Sequence, residues 1–371
     1  MIVGIMRTRQ GPEGPEATGD DRRDRRGKPV VRIRRPQQAL PVSRDLALLP
    51  KAHLHLHLDG SLRPSTVAEL AARAGIAAPR PTGYGSFAEF SATIAAAAAC
   101  MRTADDVVRV VDEIVEDARA GGAVWVEVSM WPGLFAGRLG SHADVVRTVL
   151  ECLHRAGSAH GVGCGLVLAA NRDLGPEQAL QVARLAGEFA GDGVVGLGLD
   201  GDESRFPPAL FAQACAAASA VGLAAVPHAG ELLGPGSVAD AVDVLRARRV
   251  MHGVRCVEDP QLVARLADSG TVLDICPTSN LLLSVVPSLP EHPLPALLAA
   301  GVRCTVNADD PLLFDTDLLT EYQRCREQLG LTDLQLAGIA STSVEASAAP
   351  ADLVAAALAR IDSWLGTASD E

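Results

Sequence analysis

Lysine is almost missing from this chain. Lys28 and Lys51 are the only two in 371 residues, and none follows position 51. A lysine-bridged pair of metal ions is therefore excluded beyond that point. There is no GxGxxG and no GxxxxGK[ST], so the glycine-rich phosphate loop of an open doubly wound sheet is absent as well. No apolar run reaches the roughly 18 residues a membrane span needs, because Asp, Arg or Glu interrupts each alanine-rich stretch. The opening "MIVGIMRTRQ" meets arginine before any useful apolar stretch, unlike a signal peptide. The eight cysteines form no CxxC pair and are expected to be reduced, buried thiols of a cytoplasmic protein with no membrane partner.

Charge is unevenly spread. Residues 1–45 hold 11 Arg/Lys and 6 Asp/Glu, so of the net −12 the remainder carries −17. A body that acidic repels phosphate backbones, which argues against a nucleic-acid partner. The basic head, "RRDRRGKPVVRIRR", is expected to be a disordered, solvated extension, leaving residues 46–371 as one catalytic domain.

After residue 45, short β-like runs alternate with longer helical ones. The runs are 52–59, 123–131, 164–170, 193–201, 223–231, 248–253, 271–280 and 302–310. Helical segments such as 105–120, 176–190 and 259–270 lie between them. Eight strand–helix repeats predict an α/β fold of the TIM (β/α)8 barrel type. The long interval after the first strand holds extra helical sequence, 66–75 and 87–99, predicting an insertion over the barrel mouth.

The strands are apolar along their length and turn polar at their C-terminal ends: "HLHLDG", "HAGE", "MHG" and "NADDP". In a barrel those ends face one pocket. Five of the nine histidines fall in these runs. Strand alternation puts His53, His55 and His57 on one face, with His55 and His57 nearest the mouth and His53 deeper, as a hydrogen-bonded core residue. His228 and Asp309 add a nitrogen and an oxygen donor. Three His and one Asp suit a single Zn2+, which lowers the pKa of a bound water toward neutrality. Glu231 is the candidate proton donor and His252 a catalytic or supporting group, while Asp310 is free to contact substrate.

With those residues in hand, the chain resembles the adenosine deaminase family of amidohydrolase barrels. "PKAHLHLHLDGS" (50–61), "VEV" (126–128), "VVGLGLDGDE" (194–203), "HAGE" (228–231), "HG" (252–253), "CPTSN" (276–280) and "NADDPLLF" (307–314) follow in family order over residues 48–350. The resemblance implies one zinc per chain on His55, His57, His228 and Asp309. It implies Glu231 as proton donor to ring N1 and His252 as the group orienting the hydroxide, with Asp309 also counted in the catalytic set. Asp310 would accept a hydrogen bond at N7, Gly201 would offer its N–H to N3, and Asp59 would contact the ribose, with His57 bordering the substrate. The implied reaction is hydrolytic loss of ammonia from a purine nucleoside, adenosine or 2′-deoxyadenosine, in a monomer or homodimer. The alternatives are adenine, aminodeoxyfutalosine or an adenosine-like metabolite. His53, Ser129 and Met251 depart from the family pattern, which more often has Glu, Arg and Gly there. A non-catalytic binder would have lost Glu231 or a ligand, and none is lost.

Overall fold

Eight strands form one parallel sheet in the order β1 to β8: β1 Lys51–His57, β2 Ala123–Met130, β3 Gly163–Asn171, β4 Val194–Asp200, β5 Ala224–Ala229, β6 Arg249–His252, β7 Val272–Ile275 and β8 Arg303–Val306. The computed structural model of the chain describes residues 44–79, 84 and 86–366. Apart from Arg44 and Asp45, the basic extension expected over 1–45 lies outside the described residues. A seam between β8 and β1 nearly closes the barrel. There Leu56 bridges Asp309, the His57 N–H donates to Asp309 O (3.0 Å), and the Asp309 N–H donates to His55 O (3.1 Å).

Each strand lies between barrel interior and helical layer, so even the His-rich β1 is buried at every residue. The connecting helices start where the sequence supplies caps. Thr103 and Asp106 form a capping box for the helix Ala104–Ala120, and Ser141 and Asp144 do so for His142–His160. The first of these turns Val107, Val110, Val111, Ile114 and Val115 inward, a spacing of three and four that makes one apolar stripe against the sheet. Helices Pro64–Ala74 and Phe87–Cys100 form the insertion between β1 and the rest of the barrel.

Two local readings are corrected. The run 271–280 is only half strand: β7 ends at Ile275, and Pro277 opens the helix Pro277–Leu282, where a missing N–H costs nothing. The face shared by His53, His55 and His57 is broken by a register shift between His53 and Leu56. The N–H groups of Leu54 and His55 both donate to one acceptor, Asn307 Oδ1 (2.8 and 3.2 Å), the mark of a bulge. His53 consequently lines a cavity of about 290 Å3 with Ile114, Ala118 and Leu318 of the helical layer. Its Nε2 accepts the Ala308 N–H (3.1 Å), so it is a hydrogen-bonded buried histidine, on a different face from the one expected.

Candidate metal centre and active site

The C-terminal ends of β1, β4, β5, β6 and β8 bring the polar residues together. His55 Nε2 lies 3.1 Å from His228 Nε2 and 3.1 Å from Asp309 Oδ1, and His57 Nε2 lies 3.3 Å from the same oxygen. Their other ring nitrogens face acceptors. His55 Nδ1 donates to Asp274 O (3.3 Å), and His228 Nδ1 lies 3.1 Å from Asp200 Oδ1. Both protons thus sit on Nδ1, and two Nε2 lone pairs face each other with a carboxylate oxygen beside them. Such a set repels itself unless a cation occupies its centre. Spacings of 3.1–3.3 Å match the edge of about 3.3 Å in a tetrahedron with ligand distances of about 2.0 Å. His55, His228 and Asp309 have donor atoms close enough to share one divalent ion, and His57 reaches that group through the Asp309 oxygen.

Charge leads to the same end. Asp59, Glu231, Asp309 and Asp310 are buried here, Asp200 is partly buried, and among the described residues no Lys or Arg lines the cavity. Burial drives His57 toward its neutral form, yet the carboxylates of Asp310, Asp309 and Asp200 outweigh it and hold its pKa well above the usual histidine range.

Asp310 follows a strained residue, since Asp309 has φ +62°. The Asp310 carboxyl fits only because position 60 is glycine: a Cβ there would lie 1.7 Å from Asp310 Oδ1. That oxygen is buried and has no partner among the described residues. Burial and the adjacent Asp309 raise the Asp310 pKa well above the carboxylate range. A carboxyl so placed is suited to donate to a lone pair.

His252, also at positive φ (+64°), lies with Nε2 3.4 Å from Glu231 Oε1 and 3.7 Å from Asp309 Oδ2. A relay fixes its tautomer. The Leu294 N–H donates to His292 Nδ1 (3.1 Å), which leaves the His292 proton on Nε2, donating to Asn280 Oδ1 (3.1 Å). Asn280 Nδ2 then donates to His252 Nδ1 (3.2 Å), so His252 keeps its proton on Nε2. Although its Nε2 is close enough to join His55, His228 and Asp309 around an ion, a protonated nitrogen cannot be a ligand.

Glu231 is buried, and burial, then the charges of Asp309 and Glu203, raise its pKa well above the usual carboxylate range. That shift favours its protonated form. Glu203 fixes its loop. That buried carboxylate accepts N–H groups from Gly230 (2.5 Å), Glu231 (3.1 Å), Leu232 (2.7 Å) and Leu233 (3.1 Å), together with the Ser237 hydroxyl.

The centre opens into a cavity of about 220 Å3. His57, Asp59, Gly201, His228, Glu231, His252, Asp309 and Asp310 all line it, and Phe87, Phe90, Ile94 and Trp131 form an apolar wall. His55 sits behind them, fully buried. Asp200, Glu203, Asn280 and His292 were absent from the sequence-derived set. Asp200, Glu203 and Asn280 stand in the quoted motifs "VVGLGLDGDE" and "CPTSN", where no role was attached to them, and His292 stands in none.

The sequence profile of adenosine deaminase matches residues 50–364. A Streptomyces virginiae protein whose name joins adenosine and adenine deaminase is 42% identical over 334 residues, 87% of this chain and 98% of that protein. An aminodeoxyfutalosine deaminase from Acidothermus cellulolyticus is 37% identical over 297 residues, covering 76% and 83%. Among solved structures, an adenine deaminase from Arthrobacter aurescens matches with TM-score 0.80 at 30% identity, covering 86% of this chain and 99% of that one. An amidohydrolase from Burkholderia ambifaria with bound zinc matches with TM-score 0.78 at 27% identity, covering 90% and 98%.

Proposed function

Because the chain belongs to the adenosine deaminase family and is a hydrolytic deaminase acting on C–N bonds, we propose that its substrate is adenosine, with 2′-deoxyadenosine, and its products the 6-oxo nucleoside and ammonia. The observation that carries the nucleoside is Asp59. Its buried carboxylate lines the cavity two residues beyond His57 and receives no hydrogen bond from another described side chain. A ribose hydroxyl is the natural donor for it.

His55, His57, His228 and Asp309 would hold one Zn2+, a choice supported by the donor set and by the zinc in the Burkholderia neighbour. The ion supplies Lewis acidity and an activated water when bound. The remaining work belongs to side chains. Glu231 delivers its proton to N1, which makes C6 electron-poor. The oxygen of a water molecule then adds at C6, one of its protons restores Glu231 and the other passes to the amino nitrogen, and the C6–N bond breaks to release ammonia. His252, with its proton on Nε2, donates toward the incoming oxygen and offsets its charge. Asp310 donates to N7 and the Gly201 N–H to N3, which orients the ring. Eight free cysteines support a reducing, cytoplasmic setting.

The cavity volume favours a second reading. At about 220 Å3 it falls below the roughly 300–1,000 Å3 of most ligand sites, which suits free adenine better than a nucleoside. Ammonia release from adenosine, 2′-deoxyadenosine, adenine and aminodeoxyfutalosine, measured beside metal content, tests both. Adenosine with the highest kcat/KM and one zinc per chain is expected. Preference for adenine would transfer the function to the second reading.

A further inference from the structure

Side chains inside a (β/α)8 barrel are mostly branched and apolar. Here one side of the interior is polar from end to end. Glu127 of β2, Arg249 of β6, Asp274 of β7, Thr305 of β8 and Asn307 just beyond it are each at most 2% exposed. Arg249 donates to Glu127 Oε2 (2.6 Å) and pairs with Asp274 Oδ2 (3.1 Å). The Thr305 hydroxyl donates to Asp274 Oδ1 (2.7 Å) and accepts from Asn307 Nδ2 (2.8 Å). At one end Glu127 and Arg249 line a cavity of about 550 Å3 that shares no residue with the active-site cavity.

At the other end both branches reach one residue. Asp274 accepts His55 Nδ1–H through its carbonyl, which leaves the Nε2 lone pair facing Asp309. Asn307 accepts the main-chain N–H groups of Leu54 and His55 through Oδ1, in place of the backbone acceptor that the bulged seam lacks. Buried charge this extensive costs stability unless every member is satisfied. Arg249 Nε and Asp274 Oδ2 meet as an ion pair without a hydrogen bond, but the bonds made through Glu127, Thr305 and Asn307 specify one arrangement of the strands they join.

We propose that Thr305 is the node of a positioning network, Glu127–Arg249–Asp274–Thr305–Asn307, that holds His55 in the tautomer and place needed to bind the metal. The proposal rests on the metal-binding reading above. The hydrogen bonds of the Thr305 side chain go to Asp274 and Asn307, not to the four candidate ligands. Its hydroxyl joins the branch that fixes the ring proton to the branch that fixes the backbone.

Thr305→Val keeps shape and volume while leaving Asp274 Oδ1 and Asn307 Nδ2 each short of a partner. Zinc alone is titrated into the full-length protein against a fluorescent chelator, with melting of the metal-free protein followed in parallel. Supporting side chains behind metal ligands are worth about 10- to 100-fold in affinity. Thr305→Val should weaken zinc binding by that factor, and Thr305→Ser, which keeps the hydroxyl, should stay within about threefold of wild type. If Thr305→Val does not fold, Arg249→Lys, which breaks the two-pronged hold on Glu127 and Asp274, carries the same expectation. Wild-type zinc affinity in the folded variant, or equal loss in Val and Ser, would overturn the proposal. Zinc affinity needs no purine. A wild type that binds zinc and deaminates nothing would defeat the proposed function and leave this inference standing.

Discussion

Replacing Glu203 by Gln is the most informative perturbation of the active site, because Glu203 touches no reacting atom. Its two oxygens collect four main-chain N–H groups over Gly230–Leu233 and the Ser237 hydroxyl. Glutamine keeps the shape but turns one oxygen into a donor. The less costly flip puts the amide nitrogen where Oε1 stood, facing Gly230 N–H and Ser237. Serine can rotate and accept, whereas the Gly230 N–H is left buried without a partner. An unsatisfied group costs about 1–3 kcal/mol, and the remaining bonds lose their charge assistance, about 1 kcal/mol more in sum. The loop that carries Glu231 therefore loosens by about 2–4 kcal/mol. A displacement of about 1 Å at a reacting group can cost roughly 100-fold in rate. Loss of the Glu203 charge also removes one cause of the raised Glu231 pKa, so its proton is held less firmly. Glu203→Gln should lower kcat on the preferred purine by about 100-fold, leave KM within a few-fold, and keep a full complement of metal. Steady-state kinetics with metal analysis reads all three. A folded variant with kcat within threefold of wild type would show that the Glu203 clasp does not position Glu231.

Three further outcomes are expected. Glu231→Gln should retain metal and bind purine while turnover falls by about 10²–10⁴ or more, the range for a lost general acid; single-turnover kinetics within tenfold of wild type would remove Glu231 from the chemistry. Asp59→Ala should lower kcat/KM for adenosine roughly tenfold to more than a hundredfold, the worth of a charge-assisted bond of about 1.5–3 kcal/mol, and barely alter activity on adenine; equal losses on both substrates would end its role as reader of the sugar. Burial pushes the Lys51 ammonium down to about 7, although it donates to Leu46 O (2.8 Å) and Gly121 O (2.7 Å). Unfolded, it titrates near 10.5, so the unfolded chain binds more protons between those values, and stability from this group grows as pH rises through the window. Urea unfolding at pH 7 and 9 should therefore show wild type gaining about 2–3 kcal/mol relative to Lys51→Met; no gain, or a loss, would mean that the folded ammonium is not destabilised.

What the sequence made legible follows from which groups carry the information. Strand ends that turn polar mark one pocket because barrel topology sends every such end to the same mouth, so His55, His57, His228, Glu231, His252, Asp309 and Asp310 are legible as one group in the sequence. Glu203 stands in a quoted motif, "VVGLGLDGDE", but nothing there pointed to its role. Its partners are backbone N–H groups, which every residue but proline has, so nothing in the local sequence distinguishes this glutamate from a loop residue. Asn280 and His292 were hidden for a related reason: their relay ends on the Leu294 N–H and passes through groups brought together only by the turn of helix Pro277–Leu282.

His53 shows the complementary failure, a pattern that was visible and misled. Alternation with period two is a property of a regular strand, and β1 is irregular where Asn307 reaches across the seam to hold two consecutive N–H groups. A side chain about 250 residues away in sequence thus decides which of three adjacent imidazoles faces the metal centre. The bulge is also what separates a two-histidine donor set from a three-histidine stripe. With His53 turned to the barrel's inner face, Ala308, next to Asp309, would lose the acceptor for its N–H. The site's composition therefore depends on the closure of the barrel as much as on the residues that compose it.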